Sequence, residues 1–251
     1  QMGRVLLCAP YLSTAVLSAN LLLALGDTAE QNDVLPRIAA GGLITSVAFA
    51  EPGSARPAEV PLTVAARNAD DWRLTGTKAY VLDAAVAQRF YVHARTEAGT
   101  AMFAVDPTAP GLDISPSSTV DQTRKQGTLT LADTPARLIG SAAAGGSALA
   151  EALDRAAVAL LAEQSGGAMH TMRMAADYAR TRFQFGRAIG SFQAVKHMCA
   201  DMLLEAESAV SAARHVAAAF DADSPDRYAD LALAHAYCSE AFVFVAATNI
   251  Q

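Results

Sequence analysis

Lysine is nearly absent from this chain: of its 19 basic residues only Lys78, Lys125 and Lys196 are lysines. No basic block exists, and the net charge of −6 leaves no face of clustered Lys and Arg with which to neutralise nucleic-acid phosphates. The Ala- and Arg-rich bias is that of a high-GC bacterial genome. Cysteine is equally sparse. Cys8, Cys199 and Cys238 are odd in number and widely spaced, with no Cys-x-x-Cys pair. That excludes a zinc ribbon, suits a reducing cytoplasm, and makes core thiols of all three. No Gly-x-Gly-x-x-Gly, Walker pattern or His-Glu-x-x-His occurs, so the glycine-rich phosphate loops and the zinc-protease helix are not encoded. His170 and His197 have no carboxylate or Cys at metal spacing and read as packing or surface residues, so no metal site is expected. The one long apolar run, Val5 to Leu25, is broken by Pro10, Ser13, Thr14, Ser18 and Asn20. It predicts two buried helices split near Pro10, with no membrane span and no basic leader of a signal peptide.

What the chain does have is core: 52% of its 251 residues are hydrophobic, enough for a globular protein of more than one domain. Residues 1–42 read as a partial helical N-terminal domain that stops at Gly41-Gly42. Residues 43–140 hold short β-type runs separated by Gly, Pro, Asn and Asp: Leu43–Ala50, Leu62–Ala66, Trp72–Thr75, Ala79–Leu82, Arg89–Ala94, Ala101–Val105 and Thr128–Leu131. They predict a small antiparallel barrel or sandwich. Residues 141–251 carry three long helical patterns, about Ser147–Arg182, Phe192–Phe220 and Pro225–Gln251, joined by short loops that favour an antiparallel bundle. Phe192, Val195, Met198, Cys199, Met202 and Ala206 recur at three- and four-residue spacing and form one stripe toward its core. The fold class is α+β, multidomain, in the order helical, β, helical.

The densest motif joins the first two of those helices: Tyr178-Ala-Arg-Thr-Arg182-Phe-Gln184-Phe185-Gly-Arg-Ala-Ile-Gly-Ser-Phe-Gln193, followed by Ala200-Asp-Met202. Arg182 ends one helix with a rigid fork of donors suited to phosphate oxygens, and Gln193 opens the next, where unpaired backbone N–H groups favour anions. Together they could hold a pyrophosphate. The same residues also read as a cation complementing a helix C-terminus and an exposed first-turn amide.

Taken whole, the motif resembles the flavin-contacting corner of the acyl-CoA dehydrogenase family, Tyr-x-x-x-Arg-x-Gln-Phe-Gly-x-x-Ile-x-x-Phe-Gln. Val47-Ala-Phe-Ala-Glu-Pro-Gly53 resembles the family's strand ending in Thr-Glu-Pro, and Leu74-Thr-Gly-Thr-Lys-Ala-Tyr-Val-Leu82 its Leu-x-Gly-x-Lys-x-Trp-Ile-Thr. The resemblance covers essentially the whole chain. It implies a helical N-terminal domain with further helices ahead of residue 1, and FAD between the β domain and the C-terminal helices. It also makes Gln251 the first residue of a Gln-x-x-Gly-Gly loop. Arg182, Gln184, Phe185, Gln193 and Gln251 are then cofactor-binding residues, partly toward a neighbouring subunit's FAD. The substrate is an acyl-CoA thioester desaturated between C2 and C3, and electrons pass to a separate electron-transfer acceptor.

Three positions depart from the family. Ala50 and Leu82 stand where it places Thr or Ser against the flavin ring, and Tyr80 replaces the Trp. Ser54-Ala-Arg-Pro57 also replaces the Gly and Ser-Asp after Glu-Pro. The resemblance therefore points to one subunit of a heteromer whose own flavin pocket is degenerate, like actinobacterial α2β2 dehydrogenases acting on bulky, steroid-derived acyl-CoA esters. The alternatives are an active homotetramer, a same-fold flavin oxidase or monooxygenase, and a purely structural subunit. The catalytic Glu has no assigned counterpart here. Asp154 is a weak candidate, equally read as a solvated acid in the first turns of a helix.

Overall fold

The computed structural model describes residues 1–68 and 71–251. It separates into two compact units, Cys8–Ala156 and Gln1–Leu7 with Ala157–Gln251.

The first unit is built on a closed sheet. The run after Pro10 forms a wide-turned helix, Tyr11–Ser18, that continues as α1, Ala19–Leu25. The expected helix before Pro10 is only a 3-10 turn, Met2–Val5, after which Leu6 turns left-handed at φ 44°. Val5, Leu6 and Leu7 are exposed, so the forecast of two buried helices is corrected to one. Asp27 caps α2, Thr28–Ala39, by accepting the Glu30 N–H at 3.1 Å. The N–H groups of Gly41 and Gly42 then close on the carbonyls of Ile38 and Arg37. Glu30 is the anchor of this helix: buried at 2% exposure, it accepts from Arg89 at 2.9 Å, from the Tyr91 hydroxyl at 2.7 Å, and from Arg137.

Seven strands follow: β1 Thr45–Ala48, β2 Val64–Asn68, β3 Asp71–Leu82, β4 Arg89–Thr96, β5 Gly99–Val105, β6 Leu112–Pro116 and β7 Gln126–Ile139. Their order is β1-β4-β2-β3-β7-β5, and β5 also pairs with β4, which closes the sheet on itself. The prediction of a purely antiparallel sheet is wrong at one edge. β1 runs parallel to β4 from Thr45↔Arg89 to Ala48↔Val92, and β2 joins the same edge further along at Val64↔Arg95. A parallel pair needs a long crossover, and here β2 and β3 supply it. Trp72–Thr75 and Ala79–Leu82 are one bulged strand. Leu74, Val81, Phe90, Val92, Phe103, Leu129 and Leu131 fill the interior, with Trp72 against Phe103 at 5.3 Å.

The second unit is helical. α3, Gly145–Thr181, runs into it from the first; α4, Gln193–Asp221, and α5, Arg227–Ile250, follow. α4 and α5 are antiparallel: Cys238 Sγ donates to the Ala209 carbonyl, His215 meets Asp230 at 3.0 Å, and Tyr237 donates to Glu205 at 2.7 Å. Leu161, Ala209, Ala213, Val216, Leu231, Ala234, Cys238 and Ala241 form one core cluster. Cys238 alone is a core thiol; Cys8 is exposed and Cys199 half-buried, which corrects the expectation for the other two. α5 is long and apolar enough to cross a membrane by length and composition alone. Its stripe of Leu231, Ala234, Cys238, Ala241 and Val245 is instead buried within the unit.

Candidate functional site

The corner motif forms a two-stranded hairpin at one end of the helical unit. β8, Phe183–Gln184, pairs with β9, Arg187–Ala188, across a two-residue turn in which Phe185 and Gly186 both have positive φ, 53° and 76°. Two left-handed residues in succession make the turn whose twist matches its strands, and Gly186 takes the second position without Cβ strain. The Arg182 N–H donates to Tyr178, ending α3, and the Arg182 carbonyl accepts from Ile189, each at 2.8 Å. The connection from α3 to the helix that follows, expected as a short loop, is thus largely ordered by that hairpin.

Phe192 organises the tip. The Arg187 guanidinium lies 3.9 Å from its ring centroid, and Phe185 meets it edge-on at 6.2 Å. Arg187 is thereby engaged. Arg182, by contrast, is exposed and, among the described residues, has no side-chain hydrogen bond or ion pair. Gln193 is the first residue of α4, and no side chain caps that helix, so its first-turn N–H groups stay open. Phe185 is 91% exposed and Phe183 64%, an aromatic hairpin standing in solvent.

Gln251 follows α5 at the flank of the hairpin. With Met174, Tyr178, Ile189, Val195 and Met198 it lines a mostly apolar cavity of about 400 Å³. That cavity corrects the forecast stripe: Met202 and Ala206 are buried, but Val195, Met198 and Cys199 are only half-buried because they wall an open space. Arg182, Gln184, Phe185 and Gln193 thus share one hairpin and the helix start after it, and Gln251 reaches the cavity beside them. Asp154 belongs to the other unit, half-buried on α3. Burial, then the nearby Glu151 carboxylate, pushes its carboxyl above the usual range.

In the sheet unit, the end of β1 meets β3 through two hydrogen bonds. The Ala79 N–H donates to Ala50 at 3.0 Å, and the Ser46 hydroxyl donates to the Leu82 carbonyl at 2.6 Å. Ala50, Tyr80 and Leu82 are gathered by this contact. A register shift between Lys78 and Val81 bulges β3, and Tyr80 within it has φ +56° and is 47% exposed. Ala50 is buried and Leu82 half-buried. Neither has a donor side chain, and the Ser46 hydroxyl is already committed to the Leu82 carbonyl.

Behind that face lies a charged group that sequence reasoning missed. Lys78, with no exposure, donates to Glu51 at 2.8 Å; Glu51 also accepts from the N–H groups of Leu62 and Thr63 and from the Thr63 hydroxyl, each at 2.8 Å. Burial opposes the Glu51 charge, but Lys78 and these three donors outweigh it and hold the carboxyl down at about 2. His93, 2% exposed, has no partner on either ring nitrogen, and burial followed by Lys78 pushes it down to about 4. The signal for the pair was one lone charge in each of two otherwise apolar strand motifs; nothing local marked His93. His170 and His197 are both exposed.

Comparisons with known proteins match residues 46–133 to the model of the acyl-CoA dehydrogenase middle domain and residues 143–251 to that of the acyl-CoA dehydrogenase C-terminal domain. Isobutyryl-CoA dehydrogenase of Dictyostelium discoideum is 28% identical over 92% of this chain and 58% of its own length. Acyl-CoA dehydrogenase FadE27 of Mycobacterium tuberculosis is 34% identical over 80% of this chain and 52% of its own length. The chain therefore spans little more than half of these curated relatives. Among solved structures, the Tcur3481-Tcur3483 steroid ACAD is 33% identical with a TM-score of 0.83, and the ChsE4-ChsE5 complex of M. tuberculosis 31% identical with a TM-score of 0.87. Each aligns with 99% of this chain and 66% of that one.

Proposed function

The chain belongs to the acyl-CoA dehydrogenase family, and from that premise we propose that it is one subunit of a heteromeric, FAD-dependent acyl-CoA dehydrogenase, lending its hairpin to a partner's flavin while its own flavin pocket is degenerate. The observation that carries this reading is the contrast between two faces. On the hairpin, an unpaired Arg182 guanidinium and the uncapped start of α4 at Gln193 fit a pyrophosphate. On the sheet, Ala50 and Leu82 bring no hydroxyl to a flavin ring, and the bulged Tyr80 stands where the resemblance expects Trp. Gln184, Phe185 and Gln251 join Arg182 and Gln193 as the lent residues.

Bound FAD would accept the β-hydride of the acyl thioester and pass electrons to a separate acceptor. The α-proton requires a carboxylate base, for which Asp154 is the weak candidate that the resemblance offers; burial, then Glu151, pushes its carboxyl above the usual range. Subunit status is further supported by apolar side chains left in solvent on α4 and α5, Leu203, Leu204, Leu233, Val243 and Phe244. Two structural relatives bear paired names, the Tcur3481-Tcur3483 steroid ACAD and the ChsE4-ChsE5 complex, which favours a bulky acyl group and an unlike partner.

The test is the flavin-to-polypeptide ratio of the protein co-expressed with its candidate partner, from flavin absorbance and protein mass. Half a flavin per chain is expected. One flavin per chain would overturn the degenerate-pocket reading and favour an active homotetramer.

A further inference from the structure

The helical unit holds a second cavity, of about 570 Å³, that the flavin reading does not use. Its walls are two helical stripes. Ala162, Ser165, Gly166, Met169 and Arg173 recur along α3, and Glu207, Val210, Ala213, Arg214 and Ala217 along α4, at spacings that put each set on one face. Small residues at Ala162, Gly166, Ala213 and Ala217 keep the groove between the helices deep. The Met2–Val5 turn crosses it: a Cβ on Gly166 would sit 3.6 Å from the Arg4 nitrogen, and Gly3 packs directly on the Glu163 backbone.

Three guanidinium groups, Arg4, Arg173 and Arg214, line this space from three elements. Arg89, Arg137, Arg155, Arg180 and Arg227 pair with acids, whereas Arg182, like the arginines of this groove, does not among the described residues. Among the described residues none of these three has a side-chain hydrogen bond or ion pair, and Glu207 is the only acid on the lining. Because α3 and α4 run antiparallel here, Glu207 lies toward the Arg173 end. Arg214 and Arg4 stand toward the other, beside Ser165 and Gly166. Arg is the side chain suited to carboxylate and phosphate.

We infer that this groove binds a small organic anion, its apolar body along Met169, Val210 and Ala213 and its carboxylate or phosphate head between Arg4 and Arg214. The inference is independent of the flavin reading, since it uses neither the hairpin nor the sheet face.

Calorimetric titration of the protein at fixed ionic strength, separately with octanoate, coenzyme A and inorganic phosphate, tests it. Saturable one-per-chain binding of octanoate identifies a carboxylate ligand, and of coenzyme A a phosphate ligand. Either must weaken at least tenfold in Arg4→Gln and Arg214→Gln and weaken less in Arg214→Lys. Both arginines are exposed, so the variants should fold; unchanged circular-dichroism melting confirms it. The proposal is overturned if octanoate and coenzyme A fail to saturate, if affinities are unchanged in the variants, or if phosphate alone binds as tightly, which would leave a bare anion site with no role for the apolar wall.

Discussion

Replacing Glu51 by Gln removes the counter-charge of an ammonium that has no solvent exposure. Lys78 is then left with the Phe49 carbonyl at 3.4 Å and with His93 nearby, neither of which replaces a carboxylate. Breaking a buried pair from one side costs about 3–5 kcal/mol. The Glu51 carboxyl gives a concordant figure, since holding it at about 2 instead of 4.5 corresponds to about 3 kcal/mol. Lys78→Met is milder, about 1–3 kcal/mol, because Glu51 keeps the Leu62 and Thr63 donors. Urea unfolding followed by fluorescence of Trp72, the one tryptophan and part of the sheet unit, reads both variants. The sign with pH is fixed by the lowered carboxyl: its stabilisation is complete above 4.5 and is lost as pH falls toward about 2, so wild type and Glu51→Gln converge over that window. A larger cost for Lys78→Met than for Glu51→Gln, or a gap that widens on acidification, would refute the reasoning.

In the co-expressed assembly, Arg182→Gln is expected to lower bound flavin several-fold without changing the melting temperature of the chain, because Arg182 is exposed and makes no side-chain bond; flavin absorbance after gel filtration measures it. Ala50→Thr combined with Leu82→Thr restores hydroxyl donors on the sheet face and should raise flavin above half per chain. Thr at buried position 50 costs about 1–3 kcal/mol, to be checked by thermal melting. Glu30→Ala leaves Arg89, Arg137 and the Tyr91 hydroxyl without their shared acceptor and should destabilise the sheet unit by about 2–4 kcal/mol in urea titration.

The long helices were legible because their apolar residues recur with helical period over many turns, and the Gly41-Gly42 stop because its chemistry is local. β1 to β5 and β7 were legible as elements but not as a topology. Nothing in Thr45–Ala48 says that its neighbour is Arg89–Val92 in parallel, since pairing depends on the crossover and not on the strand's own pattern. β6 was missed because Leu112-Asp-Ile-Ser-Pro116 is short, largely exposed and ends in proline, so it has no apolar run to announce it. Of the candidate site, the corner residues stood out in sequence as a motif, whereas the Glu51–Lys78 pair joins residues 27 positions apart and is visible only once β1 and β3 touch.

Sharing of one edge of β4 by β1 and β2 sets an order of assembly. β2 with β3 and β4 with β5 are hairpins that close locally, while β1 must wait for a partner more than forty residues downstream. Ala50 and Glu51 lie just past that late strand, so the face bearing Ala50, Tyr80 and Leu82 is completed only when β1 docks. The segment that carries Ala50 is therefore also the one whose release would first expose the buried Glu51–Lys78 pair behind it.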